Sequence, residues 1–145
     1  MIKVKKKVGV IFPKKKSVGR REWGNEILLA LIPKVLSLKL LHIKKGNKGG
    51  LQYHRKKNEC GYLISGKLKV RFDNGKGKLI NKILKKGDTF HFQPYSIHQE
   101  EAITDCKIIE ASTPHFNDRV RVEKNYGIKK IKGLGSTKLS QIILK

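Results

Sequence analysis

Short runs of alternating apolar and polar residues, broken by turn residues roughly every 8–12 positions, constrain this chain most strongly. Leu68, Val70 and Phe72 alternate with Lys67, Lys69 and Arg71, and an Asp-Asn-Gly turn follows at 73–75. That period of two is the mark of a half-buried strand closed by a tight reversal. The same rhythm runs through SLKLLHIKKG, GGLQYH, ECGYLISG, KLINKILKKGD, TFHFQP and DCKIIEAST. It predicts an all-β sandwich or barrel. Residues 2–12 predict a terminal strand, and KKKSVGRREWGNE (14–26) predicts a loop. ILLALIP (27–33) suits a strand or a short helical turn, because periodicity cannot separate the two in so short an apolar run.

The 145 residues suit one domain. The reading places a barrel with an N-terminal strand extension at 1–127 and a basic tail at 128–145. Gly133 and Gly135 form a flexible joint in that tail, with a short helix expected in STKLSQIILK. GLGSTK lacks the Gly-Lys pair of a phosphate loop and is discarded.

The net charge is +23, with lysine supplying most of the positive charge, while 46–127 holds nine of the eleven acids. Such a field draws anions: phosphorylated metabolites, acidic lipids or nucleic acid. No aromatic-interleaved basic platform or reading helix is present, which leaves nucleic acid the least supported partner. Cys60 and Cys106 stand outside any CxxC pattern and are expected as reduced, core-facing thiols. ILLALIPKVLSLKLL is interrupted by Pro33, Lys34 and Lys39, so no membrane span is expected, and no secretory leader is evident. A cytoplasmic location is the expectation.

Polar chemistry concentrates in GLQYHRKKNECGYLISG (50–66). Side chains two apart on a strand share a face, about 7 Å from one another, so Gln52 and His54 point the same way. Arg55–Asn58 suits a reversal, after which Glu59 opens the adjacent strand and faces the same pocket. His98, past Pro94, is a fourth donor. Two imidazoles, a carboxylate and an amide oxygen suit one divalent ion. Zinc, iron, manganese and nickel are all compatible.

The spacing Gly46, five residues, Gln52-Tyr53-His54, four residues, Glu59, six residues, Gly66 resembles the first motif of the cupins, with Gln52 in place of a histidine. Gly87-Asp88 leading to Gln93-Pro94-Tyr95 and His98 resembles the second, with Gln93, Tyr95 and Ala102 for the usual Pro, Gly and Asn. The resemblance implies a single-domain double-stranded β-helix, or jelly-roll, barrel. REWGNE, GLQYHRKKNE, IIEASTPHFNDRVRVE and NYG are similar to the mannose-6-phosphate isomerase type of cupin, although Ile128 stands where that group has arginine. That likeness implies a Gln-His-Glu-His zinc site and isomerisation of a sugar phosphate through an enediolate.

Lys39, Glu110, His91 and Arg121 are candidates for the base that such chemistry needs, and Arg121 or Lys57 for holding a phosphate. Glu110 reads equally as a carboxylate in the lumen or as one arm of an ion pair with Arg119 or Arg121. His91, between phenylalanines, suits packing or support of a ligand as well as ligation. His115 reads as a surface or subunit-contact residue and Trp23 as a packing anchor. Two other functions share the donor set: a non-haem iron dioxygenase and a cupin that binds a sugar or nucleotide sugar without turnover. The expected partners are an anionic small molecule and a second copy of the chain.

Overall fold

The computed structural model describes residues 8–21 and 23–130. Among the described residues, eleven strands form two antiparallel sheets. The six-stranded sheet is built from β1 (Lys16–Arg21), β2 (Gly24–Ile32), β3 (Leu36–Ile43), β10 (Cys106–Ser112), β5 (Glu59–Ser65) and β8 (Thr89–Phe92), in that order. The five-stranded sheet runs β11 (Arg119–Arg121), β4 (Gln52–His54), β9 (His98–Ala102), β6 (Leu68–Asp73) and β7 (Leu79–Leu84). A 3₁₀ turn follows at Glu123–Tyr126. This is the all-β architecture expected from the strand rhythm, in the jelly-roll form that the motif resemblance implies.

Alternation along each strand sends every second side chain inward, and those inward positions change character from one end of the barrel to the other. On β10 they run Cys106, Ile108, Glu110, Ser112; on β3, read backwards, Ile43, Leu41, Lys39, Ser37. Register then stacks like on like. Ile108 pairs with Leu41 and Leu63, Glu110 with Lys39 and Gly61, and Ser112 with Ser37 and Glu59. One half of the interior is therefore an apolar core of Leu63, Leu68, Val70, Leu84, Phe92, Ala102 and Ile108, closed by Trp23. Each fully buried leucine or isoleucine there contributes about 1.5–3 kcal/mol. The other half is a buried layer of charged and polar groups.

Several expectations change. KKKSVGRREWGNE is not a loop: it contains β1 and the opening of β2. An edge strand needs only its backbone ladder and one inward apolar residue, here Val18, so its composition looks loop-like. ILLALIP belongs to β2 and is extended. Residues 8–12 carry no strand, and Val8, Val10, Ile11 and Phe12 are exposed; the rest of the expected N-terminal strand lies outside the described residues. The helix expected in STKLSQIILK lies outside them too. Cys60 is exposed, because the alternation that turns Glu59 inward turns its neighbour out, whereas Cys106 is buried. Among the described residues, no helix is long and apolar enough to cross a membrane.

Two glycines make the corners possible. Gly24 has φ +143°, and a Cβ there would lie 1.7 Å from the His42 carbonyl oxygen. Gly66 has φ +92°, and its Cβ would meet the Asp105 carbonyl oxygen at 2.1 Å. Both obstacles are backbone and cannot swing aside. Gly66→Ala is expected to cost at least about 2 kcal/mol of folding stability, read from the midpoint of a urea denaturation curve.

Candidate metal centre

Gln52 and His54 enter the polar half from β4, His98 from β9 and Glu59 from β5. Gln52 and His98 are directly paired across β4 and β9. The expected adjacency of the Gln52–His54 and Glu59 strands is corrected. β4 and β5 belong to different sheets, and Arg55–Asn58 carries the chain across the barrel. Glu59 thus meets the histidines from the opposite wall.

His54 Nε2 lies 3.7 Å and His98 Nε2 3.6 Å from Glu59 Oε1. One ligand atom from each of the three residues falls within 4.8 Å of the other two, a spacing that suits atoms each about 2 Å from a shared ion. His54 Nδ1–H donates to Asp118 Oδ1 at 3.0 Å and His98 Nδ1–H to the Ser96 carbonyl at 2.9 Å. Both outer nitrogens are thereby protonated, and both Nε2 lone pairs face Glu59. Phe92 stacks on the His98 ring, with centroids 3.8 Å apart and planes 12° apart. Gln52 Oε1 is buried without a hydrogen-bond partner. A buried acceptor left unpaired costs about 1–3 kcal/mol, which a cation beside it removes. The donor set therefore fits a divalent ion.

Asp118 also accepts the backbone N–H groups of Lys56 (2.7 Å) and Lys57 (2.9 Å), so one carboxylate both shapes the crossing loop and orients His54. Lys57 Nζ lies 2.5 Å from Glu59 Oε2 and 3.4 Å from Glu110 Oε1. Burial opposes the Lys57 charge, but Glu110 and Glu59 outweigh it and raise its pKa. Burial likewise opposes the Glu59 charge, and Lys57 with His54 holds that carboxyl below its usual range. Glu110 is raised by burial and then by Glu59. Burial lowers His54 and pushes His98 down to about 4.

The remaining expected residues divide. Lys39 lines the cavity beside the donors and pairs with Glu26 at 2.8 Å. Glu110 lines it too, and its ion-pair partner is Lys57, in place of the expected Arg119 or Arg121. Arg121 does not reach the cavity. Buried Glu123, two residues on, binds its Nε at 2.6 Å and also its Nη2, and the guanidinium packs where a Cβ on Gly50 would stand. Arg119 lines the cavity instead. His91 is exposed on the outer face of β8 and donates to Asn58 Oδ1 at 2.7 Å, and His115 is exposed as expected. Sequence reasoning misses Glu26, Glu100 and Asp118. Glu100 is within its reach: it is two residues beyond His98 on β9 and so shares its face. It lines the cavity with Oε1 buried and unpaired, and burial, then Glu110 and Glu59, raise its pKa well above the usual carboxylate range.

The donors thus occupy the polar end of a two-sheet barrel, facing a cavity of about 110 Å³. The Cupin domain family matches residues 39–115, just over half of the sequence, and the chain belongs to that family. No curated protein matches it. Among solved structures it is similar to the capsular polysaccharide assembling protein CapF from Staphylococcus aureus, at 19% identity and a TM-score of 0.66, over 75% of this chain and 32% of CapF. It is also similar to KdgF from Halomonas sp. (19%, TM-score 0.60, 71% of this chain and 91% of KdgF). A third is a tryptophan-to-phenylalanine variant of the oxalate decarboxylase of B. subtilis (19%, TM-score 0.65, 84% and 39%). The chain spans about a third of the length of CapF. At these identities the likeness is one of fold.

Trp23 is the sole tryptophan and lines the cavity, so its fluorescence reports on the centre. Addition of Co²⁺ or Ni²⁺ is expected to quench it with one-to-one stoichiometry. Asp118→Asn should bind roughly 10–100-fold more weakly, and His54→Ala more weakly still.

The metal-free protein should lose stability in acid. His98 takes up a proton near 6.5 when unfolded but only near 4 when folded, so the unfolded state binds more protons between those values and stability falls as pH drops through them. Glu100 and Glu110, whose pKa values are raised, act in the opposite sense, and comparison with His98→Gln isolates the histidine. The advantage of the wild type over that variant should shrink by roughly 3 kcal/mol between about pH 7 and pH 4, measured by denaturant titration at each pH.

Proposed function

We propose that the chain is a metal-dependent isomerase of a sugar phosphate, interconverting hydroxyl and carbonyl on adjacent carbons. The observation that carries this reading is the convergence of Gln52, His54, Glu59 and His98 beside a second buried carboxyl, Glu110, in one cavity. Gln52, His54, Glu59 and His98 would hold a divalent ion, zinc first. Bound there, the ion supplies a Lewis acid that polarises a carbonyl oxygen and stabilises charge developing on it.

The protein's own residues supply proton movement and order. Glu110 is the candidate carrier: its carboxylate takes the proton from the hydroxyl-bearing carbon and returns it to the neighbouring carbonyl carbon. The hydroxyl proton passes to the former carbonyl oxygen, so the exchange leaves no net change in protons. Burial raises Glu110 towards the range where a carboxylate makes an effective base. Lys57 stays protonated between Glu59 and Glu110 and fixes the position of both, while Lys39 is held on the same wall by Glu26. The capsular polysaccharide role in CapF's description is consistent with a carbohydrate substrate.

The His-Glu-His set also supports a second reading, an iron-dependent oxygenase. Incubation of the Zn²⁺- and Fe²⁺-loaded protein with a series of aldose phosphates, followed by NMR of the products and by oxygen uptake, separates the readings. Aldose–ketose interconversion without oxygen uptake is expected. Glu110→Gln should keep its metal and lose roughly 10²–10⁴-fold in kcat. Sugar phosphates returned unchanged by the metal-loaded wild type would reduce the chain to a binding module.

A further inference from the structure

A second cavity of about 240 Å³ adjoins the first, and the two share Lys39, His54, Lys57 and Arg119 as a common wall. Their linings differ in charge. The inner chamber is lined by Glu26, Glu59, Glu100 and Glu110. The outer one, which opens past exposed His115 and Asn117, is lined among the described residues by three cations and no carboxylate. The inner chamber also gathers unsatisfied groups. Of four buried side-chain polar atoms without a partner among the described residues, three belong to residues lining it: Trp23 Nε1, Gln52 Oε1 and Glu100 Oε1. With Gln52 assigned to the metal, one donor and one acceptor remain, each costing about 1–3 kcal/mol until something bonds to it.

We infer that the two chambers form one bipartite ligand site, in which Arg119 binds an oxyanion in the outer chamber while Glu100 and Trp23 bind hydroxyl groups of the same molecule in the inner one. Among the shared cations, Arg119 alone brings a planar fork of five N–H donors that matches an oxyanion with two parallel hydrogen bonds, whereas Lys39 and Lys57 are point charges. Arg119 pairs with His54 across β11 and β4, about 5 Å apart between backbones, so the oxyanion and the hydroxyl end are only a few bonds apart. A cavity of about 150 Å³ holds benzene with its six carbons, so the inner chamber of about 110 Å³ takes about four or five non-hydrogen atoms. The ligand is a short hydroxylated anion, three or so carbons beyond its phosphate or carboxylate. This deepens the reading above, since it names the substrate class of the same site, and it depends on the metal only for the role of Gln52.

The test uses the full chain, metal-free and Zn²⁺-loaded, with Trp23 fluorescence and thermal shift as readouts and three probes: inorganic phosphate, glycerol 3-phosphate and glycerate. Glycerol 3-phosphate should bind at least tenfold more tightly than inorganic phosphate, because it fills both chambers. Arg119→Gln should weaken both by tenfold or more, with Arg119→Lys intermediate, and Glu100→Ala should weaken glycerol 3-phosphate alone. Preference for glycerate over glycerol 3-phosphate, with the same dependence on Arg119, would identify the oxyanion as a carboxylate. The proposal is overturned if Arg119→Gln folds and binds as the wild type does, if Glu100→Ala weakens both phosphates equally, or if none of the probes binds. Phosphate binding that depends on Arg119 in a protein unable to hold metal sinks the isomerase reading and leaves this one standing. Metal binding without probe binding does the reverse.

Discussion

One ammonium group holds the polar half of this barrel together. Lys57 Nζ sits between Glu59 and Glu110, all three removed from solvent. Without that cation, two carboxylates on adjacent strands of one sheet would face each other across the Ser112–Glu59 and Gly61–Glu110 pairings with only burial around them. One would then take up a proton, and Glu59 would be a poor candidate for a metal ligand. With Lys57 present, the Glu59 carboxyl is held below its usual range while burial raises that of Glu110, so two identical side chains a few ångströms apart differ in their readiness to take a proton. The arrangement begins in the crossing loop, where Asp118 holds the Lys57 backbone and the His54 ring with the two oxygens of one carboxylate.

That loop also marks where the sequence stops being legible. Period-two alternation is enough to put Gln52 and His54 on one face, and the motif spacing brings Glu59 and His98 to the same place. A four-residue polar segment, however, reads equally as a hairpin turn and as a passage between facing sheets. The hairpin is the wrong choice, because nothing local reports which sheet a strand will join. Arg119 and Arg121 show the same limit. They share a face of β11 by spacing, and the difference between them is made by Glu123, a partner visible only once the turn after β11 folds back. Trp23 reads as packing, which it is, but its indole N–H also borders the cavity without a partner, and burial of that kind has no sequence signature.

Gradation along the strands explains how a small barrel carries both a core and a site. Each central strand contributes apolar residues at one end and charged ones at the other, and register aligns them, so the polar layer rests on packed leucine, isoleucine and phenylalanine. Phe92 belongs to both halves, since it is part of the apolar cluster and stacks on His98. The imidazole is thus fixed by packing on its face and by the Ser96 carbonyl on its edge. Little rotational freedom is left for a ligand to remove.

The contrast between a chain of net charge +23 and an inner chamber crowded with carboxylates has a kinetic consequence. Out to about a Debye length from its surface the molecule repels any divalent cation, and attraction comes only from the carboxylates of the chamber itself. Added salt would therefore speed the arrival of metal while slowing the arrival of an anion at the outer chamber. The order in which the two reach the barrel is thus open to control by ionic strength alone.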